Sequence, residues 1–244
     1  MSQSFEEPIL AALDRLQAGG RTARFWLRDD DAVAPTQALD RLLALTAAHG
    51  VPLTLAVIPE PAGSALQQRL AGEGHVTVAV HGWAHSNHAA ADAKKAELGA
   101  DRPAETVTAE LAEALEKLRR LFGPQLLPVL VPPWNRIDTA LIAALPALGF
   151  QALSVYGAET SAPLPVINTH VDVMDWHGTR GCRDVQVLAA EIVARLDDDG
   201  NHVGLLTHHL VHDEDVWVFL ARLFEATERH PACRWVGLST LLAR

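Results

Sequence analysis

Short apolar runs alternate with amphipathic stretches along most of this chain, and no other feature restricts its possible folds so strongly. Apolar runs of roughly four to eight residues read as buried strands, whereas apolar residues recurring at i, i+3, i+4 and i+7 read as helices burying one face. By these rules Phe25–Leu27 is the first strand, and a helix covers Thr36–His49 with Leu39, Leu42, Leu43 and Thr46 on its inner face. Pro52–Ile58 is a second strand, Gly63–Gly72 a short helix and His75–Val80 a third strand. A long helix is expected over Ala104–Phe122, with Val107, Leu111, Leu115, Leu118 and Phe122 aligned. Leu126–Val131 then reads as a strand, and Asp138–Leu148 as a helix capped by Asp138. Phe150–Val155 and Leu164–Ile167 are further strand candidates. Val185, Leu188, Ile192 and Leu196 mark another helix, followed by a strand at His202–Thr207, a helix at Val216–Glu228 and a last strand at Arg234–Leu238.

Such alternation predicts an α/β fold with a parallel sheet. With about seven strands, a closed or nearly closed (β/α) barrel is favoured over an open sheet. No low-complexity linker or internal repeat interrupts the pattern, so residues 1–244 read as a single domain. In either architecture ligands gather at the C-terminal ends of the strands. The residues just after each apolar run therefore carry the functional information.

Those positions are rich in chemistry. Asp29-Asp30-Asp31 closes the first strand, and three adjacent carboxylates repel one another unless a cation or an arginine compensates. A solvated acidic turn, with one Asp capping a helix, is the plainer alternative. His81-Gly82-Trp83-Ala84-His85 closes the third strand and spaces two histidines as HxxxH, with His88 three residues further on. Hard carboxylate oxygens with imidazoles form the ligand set of a divalent-metal hydrolase. In Val131-Pro132-Pro133-Trp134-Asn135 the prolines fix the backbone, and Trp134 and Asn135 offer an apolar face and a polar edge to a ring-shaped ligand. Asp172-Val173-Met174-Asp175-Trp176-His177 sets two carboxylates near a Trp and a His, where one can orient a histidine or an arginine. Leu205-Leu206-Thr207-His208-His209 ends on two histidines that a strand would point to opposite faces. One of them can enter a site while the other packs or hydrogen-bonds, and His212 and Asp213 stand ready to cap the next helix.

Composition narrows the partners. A chain of 244 residues can bury a full core, and its 49% hydrophobic content argues against extensive disorder. A net charge of −10 disfavours nucleic acid and anionic membranes, which want clustered Lys and Arg. Cys182 and Cys233 form no CxxC pattern and read as free thiols. No basic-then-apolar leader precedes Phe5, and no stretch reaches the ~20 apolar residues of a membrane span, so the expected location is cytoplasmic.

Taken in order, these strings resemble the polysaccharide deacetylases, the NodB-homology family also called carbohydrate esterase family 4. That family carries a TFDDG string, an HSxxH string, an RxPxG-like string, a DxxDW-like string and a closing LxH. Leu27–Asp31, His81–His85, Val131–Asn135, Asp172–Trp176 and Leu206–His208 stand in the same order, over residues 24–209. The resemblance implies a distorted (β/α) barrel, a divalent metal (zinc, with cobalt or another ion as alternatives) and removal of N- or O-acetyl groups from sugars. It makes Asp29 the general base, Asp30, His81 and His85 the metal ligands, and His208 the general acid. Trp134, Asn135, Asp175 and Trp176 become substrate-binding candidates, with Arg28, Asp31, His88, Arg136, Asp172 and His209 in supporting positions. The chain departs from the pattern at Asp31 for the glycine, Gly82 for the hydroxyl residue and Val131 for the arginine. Arg28 and Arg136 are the candidates to stand in for that arginine.

The residues themselves support the same chemistry. One carboxylate and two imidazoles leave positions open for water and a carbonyl oxygen, and a carboxylate–histidine pair can move the protons. The leading expectation is a metal-dependent deacetylase acting on a carbohydrate or small amide. Its rivals are a hydrolase of non-peptide C–N bonds in the same fold and a catalytically silent barrel that binds carbohydrate or metal.

Overall fold

A computed structural model of the chain describes residues 4–198 and 202–243. In chain order the elements are α1 (Glu6–Ala18), β1 (Ala23–Ala32), α2 (Gln37–Ala48), β2 (Leu53–Val57), α3 (Ser64–Leu70), β3 (Val76–His81), α4 (Ala104–Phe122) and β4 (Leu126–Val131). They continue with α5 (Thr139–Ile142), α6 (Leu145–Leu148), β5 (Ala152–Leu153), β6 (Val171–Asp172), α7 (Val185–Asp197), β7 (Val203–Thr207), α8 (Glu214–Thr227), β8 (Cys233–Trp235) and α9 (Leu238–Leu242). The described residues fall into two compact units that interleave along the chain. One holds the segment ending at Asp29, Thr36–Leu53 and Thr169–Leu238; the other holds Asp30–Pro35, Thr54–Asn168 and the segment from Ser239.

The first unit is organised on β1. Its register with β7 pairs Phe25 with Val203 and continues to Asp29 with Thr207, while β8 pairs Ala23–Phe25 with Cys233–Trp235. On the far side of β7, β6 sets Val171 and Asp172 opposite Leu205 and Leu206. All three pairings are parallel, as the strand–helix alternation requires. Helix α1 packs against α7 and α8, burying Ile9, Ala12, Leu13 and Leu16. Capping fixes where the helices begin: Thr36 accepts from Leu39 N–H at 3.0 Å for α2, and Asp213 accepts from Val216 N–H at 2.9 Å for α8.

The second unit pairs β3 with β4 and β4 with β5, again in parallel. His81 lies opposite Val131, and the β3–β4 register shifts between Val78 and Val80. Helix α4 covers β3 and β4, burying Val107, Leu111, Ala114, Leu115, Leu118 and Phe122. Glu105 in its first turn and Arg119 and Arg120 in its last match the helix dipole, and Gly123 ends it at φ 50°.

Several boundaries differ from the sequence expectation. The helix expected over Asp138–Leu148 is two short helices, because Pro146 has no N–H to give the carbonyl of Ile142 and its ring crowds that turn. Asp138 does cap the first, accepting from Ala140 N–H at 2.7 Å. Phe150–Val155 shrinks to the two residues of β5, and Leu164–Ile167 keeps only a single bridge, Leu153 to Val166. The last strand stops at Trp235, and Leu238 opens α9 instead. Helix α1 and strand β6 fall where no element was expected. Cys182 and Cys233 are free thiols. Among the described residues no helix is long and apolar enough to cross a membrane.

Candidate active site

In the second unit, β3 delivers His81 at its C-terminal end, and the four residues after it turn back to present His85. Asp31 Oδ1 lies 3.1 Å from His81 Nε2 and 3.3 Å from His85 Nε2. One donor atom from each of the three falls within 4.8 Å of the others, a spacing that suits a single cation. His81 is buried and its Nδ1–H donates to Val131 O at 2.9 Å, which turns Nε2 toward Asp31. Burial opposes the charged form of His81, but the Asp31 hydrogen bond and the charges of Asp30 and Asp31 outweigh it, so its pKa lies above the ordinary value. Burial, reinforced by the neighbouring His81, pushes His85 down.

The backbone around this cluster is strained. Asp31, His85, Trp134 and Asn135 all sit at positive φ (71°, 54°, 55° and 56°), a region that non-glycine residues rarely enter. Trp134 packs its ring 4.3 Å from His85 at a tilt of 53°. Glu97, wholly buried, accepts from Ala84 N–H at 2.8 Å, Trp83 N–H at 3.0 Å and Ser86 N–H at 3.2 Å.

The first unit holds a different constellation. Asp29 is completely buried at the end of β1. Its Oδ1 pairs with His209 Nδ1, while Oδ2 accepts from Thr207 Oγ1 at 2.7 Å and from His209 N–H at 2.8 Å. Burial would raise the Asp29 pKa, but His209, His212 and Thr207 together hold it below the ordinary value. His208, the neighbour of buried His209, is half-buried and meets Trp176 edge-on at 4.7 Å. Trp176 is 38% exposed and donates its indole N–H to Asp172 Oδ2 at 2.8 Å. His212 Nε2 accepts from the His208 backbone N–H at 3.2 Å. Burial first, and the imidazoles of His209 and His208 with it, push the His212 pKa down to about 4 against the pull of Asp29.

The residues singled out in the sequence thus sort by geometry. Asp31 joins His81 and His85, whereas Asp30, the expected ligand, stands outside that donor group and acts on His81 as a nearby charge. Asp29 is spent on His209 and Thr207. Asp175 caps a turn, accepting from Gly178 and Thr179 N–H at 3.0 and 2.8 Å, and those backbone bonds lower its pKa. His88 is exposed, with its backbone N–H given to Ala96 O. Arg136 donates to Lys95 O, and Arg28 is fully buried in β1. Glu97 carried no sequence signal: it lies in a charged, aperiodic stretch, and only the fold returns it to the His81–His85 loop.

The polysaccharide deacetylase family model matches residues 24–153, just over half of the 244 residues. No curated protein matches the chain. Among solved structures, the chitin deacetylase of Colletotrichum lindemuthianum is 20% identical, with a TM-score of 0.61 over 91% of this chain and 88% of its own. A peptidoglycan deacetylase of Bacillus subtilis is 14% identical, with a TM-score of 0.58 over 90% of each chain. A family 4 acetyl xylan esterase of Clostridium thermocellum, in complex with a cobalt ion, is 16% identical, with a TM-score of 0.57 over 89% of each. Likeness at these identities shows a shared fold, the parallel (β/α) architecture that the strand–helix alternation implied.

Proposed function

The chain belongs to the polysaccharide deacetylase family, and from that membership we propose that it is a metal-dependent hydrolase removing an N- or O-acetyl group from a carbohydrate or a related small substrate. The observation that carries this reading is the convergence of Asp31, His81 and His85, with the Val131 carbonyl aiming His81 Nε2 at the common point. One carboxylate and two imidazoles fit a divalent ion, zinc first and cobalt as the alternative. Held by these three residues, such an ion supplies Lewis-acid chemistry, lowering the pKa of water and polarising a carbonyl.

The protein's own groups then divide the proton transfers. The base role moves along the strand with the ligand role: Asp30 directly precedes Asp31 and its charge reaches His81, so Asp30 is assigned to take the proton of the attacking water. His208 is assigned to protonate the leaving amine or alkoxide, with Trp176 against its ring and Asp172 steadying that Trp. Trp134, against the His85 ring, offers an apolar face to a sugar ring or an acetyl methyl.

Elemental analysis of the purified protein, alongside the His81→Ala variant, tests the metal. About one divalent ion per chain, lost in the variant, is the expected result. Acetate release from acetylated chitin, peptidoglycan and xylan fragments, with and without chelator, tests the chemistry. Release that ignores the chelator, or a protein that takes up neither zinc nor cobalt, would refute the reading.

A further inference from the structure

We propose that Glu97 is a positioning residue for the candidate metal site, holding His85 in place beside His81 and Asp31 by clamping the loop that joins the two histidines. The inference rests on the metal-site reading above. Its basis is where a wholly buried carboxylate spends its oxygens. Oε1 takes the N–H groups of Ala84 and Ser86 and Oε2 that of Trp83, so three amides of one four-residue stretch converge on one side chain. Burying a carboxylate is costly unless such donors meet it. Arg102, ion-paired with Glu110, also feels the Glu97 charge.

That loop needs an external clamp because its own backbone does not favour its shape. Gly82 and His85 both lie at positive φ, 59° and 54°, and His85 has a side chain that penalises the conformation. Gly82 has no side chain with which to tie the turn. Its lack of a Cβ is instead a condition for the clamp: a Cβ there would sit 2.0 Å from Glu97 Oε2 and 2.6 Å from the Pro133 ring. Glycine at 82 and glutamate at 97 are therefore one device.

The segment carrying Glu97 is itself tied to the loop. Asn87 Oδ1 accepts from Ala96 N–H at 3.0 Å, and His88 N–H donates to Ala96 O at 2.9 Å. The residue before Glu97 is thus anchored from both sides just beyond His85. A buried carboxylate that sets a ligand's backbone acts on metal affinity through geometry, and losing such support typically weakens binding by about 10–100-fold.

The test uses the full chain, stripped of metal and titrated with zinc against a chromogenic chelator. Visible spectra of the cobalt-loaded protein and unfolding midpoints of the metal-free protein are recorded alongside. Glu97→Ala is expected to bind zinc about 10–100-fold more weakly and to change the cobalt spectrum. Glu97→Gln should recover part of the affinity, since its amide oxygen can still accept from Ala84 and Ser86 while its NH2 group opposes Trp83 N–H. If Glu97→Ala does not fold, Glu97→Gln carries the test: weakened binding in a folded protein supports the clamp. Variants that melt lower but bind zinc and colour with cobalt like the parent would overturn it, leaving the metal site standing. A parent protein that binds neither ion would overturn both readings.

Discussion

Replacing Asp29 by Asn changes one atom in a fully buried carboxylate and should unravel the end of β1 rather than stop chemistry directly. Asp29 Oδ2 accepts from Thr207 Oγ1 and the His209 amide at 2.7 and 2.8 Å, and Oδ1 faces His209 Nδ1. An Asn can keep only one acceptor oxygen, so its NH2 must confront either the His209 ring or the two donors at Oδ2. It also removes the carboxylate charge that faces the buried His209 ring. Breaking a buried, hydrogen-bonded pair from one side costs about 3–5 kcal/mol. For a chain of this length each kcal/mol is worth about 2–4 °C, so the melting temperature should fall by about 6–20 °C. Thermal and urea unfolding of Asp29→Asn and Asp30→Asn, with zinc content and turnover measured on each, separates the two carboxylates. Asp30→Asn should keep its metal and lose about 100- to 10,000-fold in turnover, the range for a general base. An Asp29→Asn protein with parental stability and no activity would show that Asp29 takes the proton and that its buried contacts were misjudged.

Acid should destabilise the protein through His212, whose pKa is about 4 when folded against an ordinary 6.5. Folding favours the neutral ring, so this contribution is complete above about pH 6.5 and is lost as the pH falls through 4; it amounts to roughly 3 kcal/mol. Urea midpoints at pH 7 and pH 4 for the parent and His212→Phe check it, and equal acid sensitivity in the two would sink the idea. Gly82→Ala should lose about 1–2 kcal/mol to the left-handed backbone alone, and more where Pro133 cannot yield to the new Cβ, with weaker zinc binding; parental stability and affinity together would contradict this. Leu111→Ala, fully buried in α4, should cost about 2–5 kcal/mol and leave zinc affinity unchanged, so a measured loss under about 1 kcal/mol would mean that α4 does not carry the core as described.

The parts of the fold that could be read from sequence are those where burial is periodic. Helix α4 and strand β4 occur at the expected residues because an uninterrupted 3.6-residue stripe and a closed apolar run have no competing interpretation. Helix α1 carries the same stripe in Ile9, Ala12, Leu13 and Leu16 and was legible by the same rule, although no element was assigned there. Strand β5 lies inside the apolar run Phe150–Val155 but keeps only two of its residues, and β6, also two residues, has no pattern to find, since its pairing is set by the neighbouring strand. Which of His208 and His209 enters a site was not legible, because β7 ends at Thr207 and the alternation of a strand does not extend to either histidine. His209 is buried on Asp29, and His208 is left against Trp176.

What the sequence could not settle was the register within Asp29-Asp30-Asp31. Each of the three is a carboxylate, each follows the same strand, and neighbouring Cα atoms are only 3.8 Å apart. Regular alternation would turn Asp29 and Asp31 to one face and Asp30 to the other. That rule is interrupted at Asp31, still within β1, where φ swings to 71° and the strand turns locally. The turn carries Asp31 to His81 and His85, while the straight part of β1 keeps Asp29 in register with Thr207, next to His209. A family string with a glycine after its paired aspartates invites an alignment that places Asp31 at the glycine. A residue at positive φ can be a glycine or, less often, an aspartate. The backbone angle is thus satisfied by either residue, and only the positions of His81 and His85 identify the carboxylate that can share an ion with them.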